Sequence, residues 1–113
     1  MLKKIECYIQ PFKLDDIKDA LIEAGAEGIT ISEVKGFGMQ RGFKDGEKPK
    51  KSVKFLSKIK MEIVVDEEKV DILTKTIVDL AKTGEFGAGK IFILPVEDAI
   101  RIRTSEAGIS AIT

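Results

Sequence analysis

Residues 58–84, KIKMEIVVDEEKVDILTKTIVDLAKTG, decide the fold. Ile59, Met61, Ile63 and Val65 recur at every second position, the period of a strand with one buried face. Asp66 follows, a residue type that suits a helix N-cap, with Glu67 and Glu68 placed to meet the positive end of a helix dipole. Val70, Leu73, Ile77, Leu80 and Ala81 then recur at three- and four-residue steps. The stretch predicts a strand that runs into an amphipathic helix closed by Gly84.

The same plan occurs near the start of the chain. KKIECYIQ (3–10) resembles KIKMEIVV (58–65), with Ile5, Cys7 and Ile9 on one face and Pro11 as a stop. Lys13 to Ala24 reads as a helix through Leu14, Ile17, Leu21 and Ala24, with Asp15 and Asp16 at its start and Gly25 as C-cap. Ile29–Val34 is a β-branched, alternating second strand, and Lys90–Leu94 a fourth. The order strand, helix, strand, long gap, strand, helix, strand predicts an α+β class fold. Its form is a ferredoxin-like βαββαβ sandwich, an antiparallel sheet with two helices on one face, as a single domain over 1–113. Strands 1, 3 and 4 also carry apolar residues at the other parity (Tyr8, Val64, Phe92). Strands apolar on both sides are buried on both sides, which predicts oligomerisation.

Composition narrows the function. A chain of 113 residues with 43% hydrophobic content supports one packed core. Lys+Arg 19 balances Asp+Glu 19, so overall charge predicts no attraction to nucleic acid or membrane. The absence of histidine removes the commonest metal ligand and general base. Cys7 is the lone cysteine, which excludes an internal disulfide and fits a reducing compartment. Without a span of roughly 20 apolar residues, membrane insertion is not expected, and the reading is cytoplasmic.

Chemistry concentrates in two places. Residues 83–106, TGEFGAGKIFILPVEDAIRIRTSE, combine a glycine turn (Gly84, Gly87, Gly89), Lys90 directly after it, and the pair Arg101 and Arg103. Glycines let backbone N–H groups approach a phosphate, lysine adds a point charge, and arginine adds a planar fork of donors. Taken singly each motif is weak: GxGK leads into a strand and is not a Walker A loop, and Arg101-x-Arg103 alone is more often a solvated pair than a ligand clamp. An extended backbone would put both guanidinia on the same side. The second place is the gap, Phe37–Ser57, too long for a plain connection. From Arg41 to Lys60, running past the end of the gap, there are eight basic residues against Asp45 and Glu47. Glu62 lies among apolar neighbours, where its carboxylate is equally suited to a ligand or a salt bridge. Cys7 reads as core and not as a nucleophile.

Together these residues resemble the PII signalling protein family along essentially the whole chain. KKIECYIQPFKLDDIKDAL is similar to its first strand and helix, SEVKGFGMQRG (32–42) to the start of its T-loop, FLSKIKMEIVVDEEKVD to the loop exit and third strand. TGEFGAGKIFILPVEDAIRIRTSEAG is similar to its B-loop and C-loop. The resemblance implies a T-loop at about 37–57, a B-loop at about 83–90 and a C-loop at about 101–108. It also implies a homotrimer that binds ATP or ADP in its three intersubunit clefts. Tyr8, Gly28, Thr30, Glu62 and Val64 would line the base and ribose. Gly36, Gly38, Met39, Gln40, Gly87, Ala88, Gly89, Lys90, Arg101 and Arg103 would complete the nucleotide site. Gln40 would hold Mg²⁺ with ATP. Gln40, Arg41, Lys58 and Gly87 would bind 2-oxoglutarate. The T-loop would then dock on a target protein, an ammonium transporter or a metabolic enzyme.

The chain departs from the family in places. Met39 replaces a usual arginine near the γ-phosphate, which leaves the preference between ATP and ADP open. Ala88 replaces a usual acidic residue, and Ser105 a usual glycine. Tyr8 is the only tyrosine, so no loop tyrosine exists for uridylylation, and no modification is expected. The family's non-enzymatic sensing is weighed against an RNA-binding ferredoxin-like module using the basic loop and an acylphosphatase-type enzyme. The first rival lacks the aromatic pair of an RNA-stacking sheet; the second lacks a nucleophile–base pair.

Overall fold

A computed structural model describes residues 1–37, 55–84 and 88–113. Four strands form one antiparallel sheet: β1 (Leu2–Ile9), β2 (Thr30–Gly36), β3 (Leu56–Asp66) and β4 (Gly89–Val96), in the spatial order β2-β3-β1-β4. Two helices cross over the sheet, α1 (Leu14–Glu23) after β1 and α2 (Val70–Ala81) after β3, each entered through one 3₁₀ turn. The expected βαββαβ sandwich is the fold.

The alternation read from the sequence fixes the register. Ile5 faces Ile63, Cys7 faces Met61 and Ile9 faces Ile59 across β1 and β3. These residues all point to the helices, where Ile17 and Leu21 of α1 and Leu73 and Ile77 of α2 meet them, and all ten are buried. A fully buried side chain of this kind contributes about 1.5–3 kcal/mol, so one stripe per helix and one face per strand hold the layers together.

The helix ends differ in part from expectation. Gly25 works as foreseen: it sits at φ 108°, its N–H reaches the Ile22 carbonyl, and the Ala26 N–H reaches Leu21. That pair of bonds is a Schellman ending. Asp66 holds the extended N-cap conformation, but its side chain does not cap. Its carboxylate instead lies 3.6 Å from the Met1 ammonium. Gly84 does not close α2. The helix stops at Ala81 because Lys82 is extended (φ −64°, ψ 124°), and Gly84, at φ 79°, turns the loop beyond it.

The second sheet face is open in the single chain. Phe92 is 49% exposed and Val64 half-buried, so the burial on both sides expected for the strands is not met by the chain's own elements. Both helices lie on the other face. Among the described residues no helix is long and apolar enough to cross a membrane.

Candidate functional site

The open face carries a ladder of charges set by the register. Glu6 lies directly opposite Glu62, an unfavourable like-charge pair on its own. Lysines at the diagonal positions relieve it. Lys4 Nζ is 2.8 Å from Glu62 Oε2, Lys60 Nζ is 2.8 Å from Glu6 Oε1, and Lys60 also lies 3.8 Å from Glu62 Oε1. The hydrogen bond from Lys4 holds the Glu62 carboxyl below its usual pKa. In return the hydrogen bond to Glu62 raises the Lys4 pKa, and that to Glu6 raises the Lys60 pKa. Glu62 thus makes ion pairs with Lys4 and Lys60 in the single chain.

Beside this ladder is a cleft of about 310 Å³ lined by Lys4, Gly28, Thr30, Glu62, Val64 and Ile112. Four residues expected around a base and ribose are therefore neighbours: β2 and β3 pair Thr30 with Glu62, Gly28 precedes β2, and Val64 lies two positions along the same face. Tyr8 does not join them. It borders a separate cleft, also about 310 Å³, with Ala88, Gly89 and Lys90 over an apolar floor that includes Ile77, Ala81 and Ile91. The Tyr8 ring packs edge to face on Phe92, with centroids 6.2 Å apart.

Gly89 explains how Lys90 reaches its place. It has φ 125°, and a Cβ built there would lie 2.0 Å from the Tyr8 carbonyl oxygen. Only glycine lets β4 start this close to β1, so the strand places Lys90 opposite Tyr8. Gly36 ends β2 opposite Leu56. One step on, Phe37 and Phe55 meet edge to face, with centroids 5.4 Å apart, at the stem of the long loop. Gly38, Met39, Gln40, Arg41 and Gly87 lie outside the described residues. Lys58, paired with Val34, has its ammonium pKa lowered by burial.

The arginine pair is not extended, so the condition under which alternation would put both guanidinia on one side is not met. Residues 101–106 form a tight turn closed by the bridge between Ile100 and Ala107. Within it the Ser105 N–H donates to the Arg101 carbonyl (2.7 Å) and the Arg101 N–H to the Glu106 carbonyl (2.8 Å). Ser105 stands at φ 61°, a conformation glycine adopts without strain. Arg101 Nη1 donates to Glu106 Oε1 at 3.2 Å, and Nη2 to the Thr113 carbonyl oxygen. Arg103 is exposed.

The profile of the family described as Nitrogen regulatory protein P-II matches residues 2–106. The chain belongs to the P-II family. A Nitrogen regulatory protein P-II of Nostoc punctiforme is 51% identical over 112 residues, 98% of this chain and 100% of the relative. One of Rhodobacter capsulatus is 48% identical with the same coverage. Among solved structures, Arabidopsis thaliana PII bound to citrate matches with a TM-score of 0.80 and 40% identity, over 99% of this chain and 90% of that one. The relatives of this P-II chain are named as regulatory proteins.

Three site features escaped sequence reading. Lys4 and Lys60 were legible only as alternate polar positions; the diagonal pairing that ties them to Glu62 and Glu6 needs the β1–β3 register. Ile112 and Glu106 carry no local signal at all, because their contacts come from the way the last residues fold back.

Proposed function

We infer that this P-II chain is a non-enzymatic regulator that binds ADP or ATP between protomers of a homotrimer and relays ligand state to a target enzyme or transporter through residues 37–57. One observation carries the reading. Most of the described residues expected to hold nucleotide divide between two clefts, with Gly28, Thr30, Glu62 and Val64 in one and Tyr8, Ala88, Gly89 and Lys90 in the other, while Gly36, Arg101 and Arg103 line neither. Thr30 is on β2 and Lys90 on β4, the two edges of the sheet. Three strand spacings separate these edges, roughly 14 Å. A base cleft in one protomer and a phosphate cradle in its neighbour complete each other when the β4 edge of one copy approaches the β2 edge of the next. The open sheet face supplies surface for that assembly.

In such a cleft the backbone at Ala88–Lys90 approaches phosphate closely, Lys90 adds a point charge, and Arg101 and Arg103 add forked donors. Lys58 suits a dicarboxylate such as 2-oxoglutarate. Burial lowers its ammonium pKa, and a ligand carboxylate beside it would favour the charged form. The Gln40 amide oxygen is a hard donor of the kind Mg²⁺ takes, with phosphate and carboxylate oxygens available to complete the shell. The citrate on the Arabidopsis relative is in keeping with a fold that accepts small carboxylate-rich anions. The ion pairs Lys4–Glu62 and Lys60–Glu6 occupy the open face where an RNA-binding sheet would present stacking bases to aromatics, and Tyr8 packs on Phe92 instead.

Complementation tests the division. Lys90→Met and Arg101→Met chains are each expected to lose ADP binding by calorimetry. Trimers co-assembled from both regain intact sites if Lys90 and Arg101 of one site come from different protomers. No recovery in mixed trimers sinks the intersubunit reading. No binding of ADP or ATP by the unmutated chain at millimolar concentration sinks nucleotide sensing, and titration with ATP, Mg²⁺ and 2-oxoglutarate together decides the dicarboxylate.

A further inference from the structure

The base-side cleft is bordered by the chain's own last residues. Gly108–Ala111 forms a 3₁₀ turn. The Gly108 N–H donates to the Ala99 carbonyl and to Asp98 Oδ1, each at 3.0 Å. After the turn the Ile112 N–H returns to the Ile109 carbonyl at 3.1 Å. This brings Ile112 to the wall of the cleft that holds Gly28, Thr30, Glu62 and Val64. It also brings the Thr113 carbonyl oxygen to Arg101 Nη2, while Glu106 takes Nη1. Both terminal nitrogens of the guanidinium thus face oxygen acceptors, the arrangement a phosphate would present to the same fork.

We propose that Glu106 and the segment Gly108–Thr113 are an internal competitor for nucleotide. They hold Arg101 and border the adjoining cleft until a phosphate displaces them. The proposal rests on the nucleotide reading above. Its physical basis is the shared acceptor geometry. A phosphate that reaches Arg101 either replaces the Glu106 oxygen or lies beside it, anion against anion. The side chains of Arg101 and Glu106 are 27% and 47% exposed, so their pairing is weak enough to be displaced. Glu106 thereby becomes an affinity-setting residue that acts through Arg101 and never touches the ligand.

The test is calorimetric titration of the full-length chain, Glu106→Gln and Ile112→Ala with ADP and with ATP, circular dichroism and sedimentation first establishing equal fold and assembly. Both variants are expected to bind more tightly, Glu106→Gln by up to about fivefold, the factor that corresponds to losing an exposed ion pair. Hydrogen exchange gives a second readout on the unmutated chain: the Gly108 and Ile112 amides are expected to exchange faster when ADP is added. Equal or weaker binding by folded variants, or slower exchange at those amides, overturns the competitor while leaving nucleotide binding intact. If none of the three proteins binds either nucleotide at millimolar concentration, the nucleotide reading fails, and the competitor fails with it.

Discussion

Replacing Gly89 by alanine asks whether the start of β4 is held by backbone packing that only glycine permits. The new Cβ would sit 2.0 Å from the Tyr8 carbonyl oxygen, 3.2 Å from the Tyr8 carbonyl carbon and 3.5 Å from Ile9 Cα. The first contact falls more than about 1 Å inside normal van der Waals separation, and its partner is backbone at the end of the β1–β4 ladder, so no side chain can swing away. The positive φ of 125° adds strain of about 1–3 kcal/mol. With the displaced β1–β4 register the total cost is about 3 kcal/mol or more. In urea, with a slope of about 1.5 kcal/mol/M for a chain of this size, the midpoint should fall by roughly 2 M at fixed protein concentration. Two other glycines serve as controls. A Cβ at Gly36 meets nothing within 4 Å, and Gly36 lacks a positive φ. Gly36→Ala should therefore be neutral or stabilising by about 0.4–1 kcal/mol. Gly84 has open space but φ 79°, so Gly84→Ala should cost about 1 kcal/mol. A Gly89→Ala midpoint within about 0.3 M of the unmutated chain, or no separation among the three variants, would refute the packing argument.

Three further outcomes follow from particular residues. Ser105→Gly removes a left-handed strain of about 1 kcal/mol and should raise the thermal midpoint by about 4 °C; an unchanged or lower midpoint in a scan removes Ser105 as a strained site. Burial pushes the Cys7 thiol up to about 11, leaving about one thiolate in a thousand at pH 8, so a thiol reagent should label it no faster than the chain unfolds. Prompt labelling of the folded protein contradicts its place in the core. Glu62 has its pKa lowered and Lys4 its pKa raised by their mutual hydrogen bond. The carboxylate's contribution is fully present above its unfolded value near 4.5 and is lost as pH falls through the lower folded value. The amine's contribution is present below 10.5 and is lost as pH rises through the higher folded value. The stability gap between the unmutated chain and Glu62→Gln should therefore stay constant at neutral pH and narrow in acid; a gap that widens in acid has the wrong sign.

Most of the fold was legible because it rests on local periodicity. Two-residue spacing in 59–65 and three- and four-residue spacing in 70–81 each serve one buried face, and the repeat of that plan near the N-terminus gives the topology. The misplaced ends have a common cause. Asp66 was free to cap α2 until the fold brought the Met1 ammonium to it, and Gly84 looked like a cap until Lys82 turned extended first. The backbone at the arginine pair was open for a similar reason: Arg101-x-Arg103 would align both guanidinia only on an extended backbone, and the Ile100–Ala107 bridge closes it into a turn.

By itself the sequence determined the strand and helix order, the core face of each element, the family and the residue types suited to anions. All of these follow from side-chain pattern along the backbone. Only the tertiary structure decided that Glu62 is bound by Lys4 and Lys60, and that Thr30 and Lys90 stand in different clefts. It alone brought Glu106 and Thr113 to Arg101. Those facts depend on strand register, sheet order and the path of the last residues, which bring together groups from distant parts of the chain.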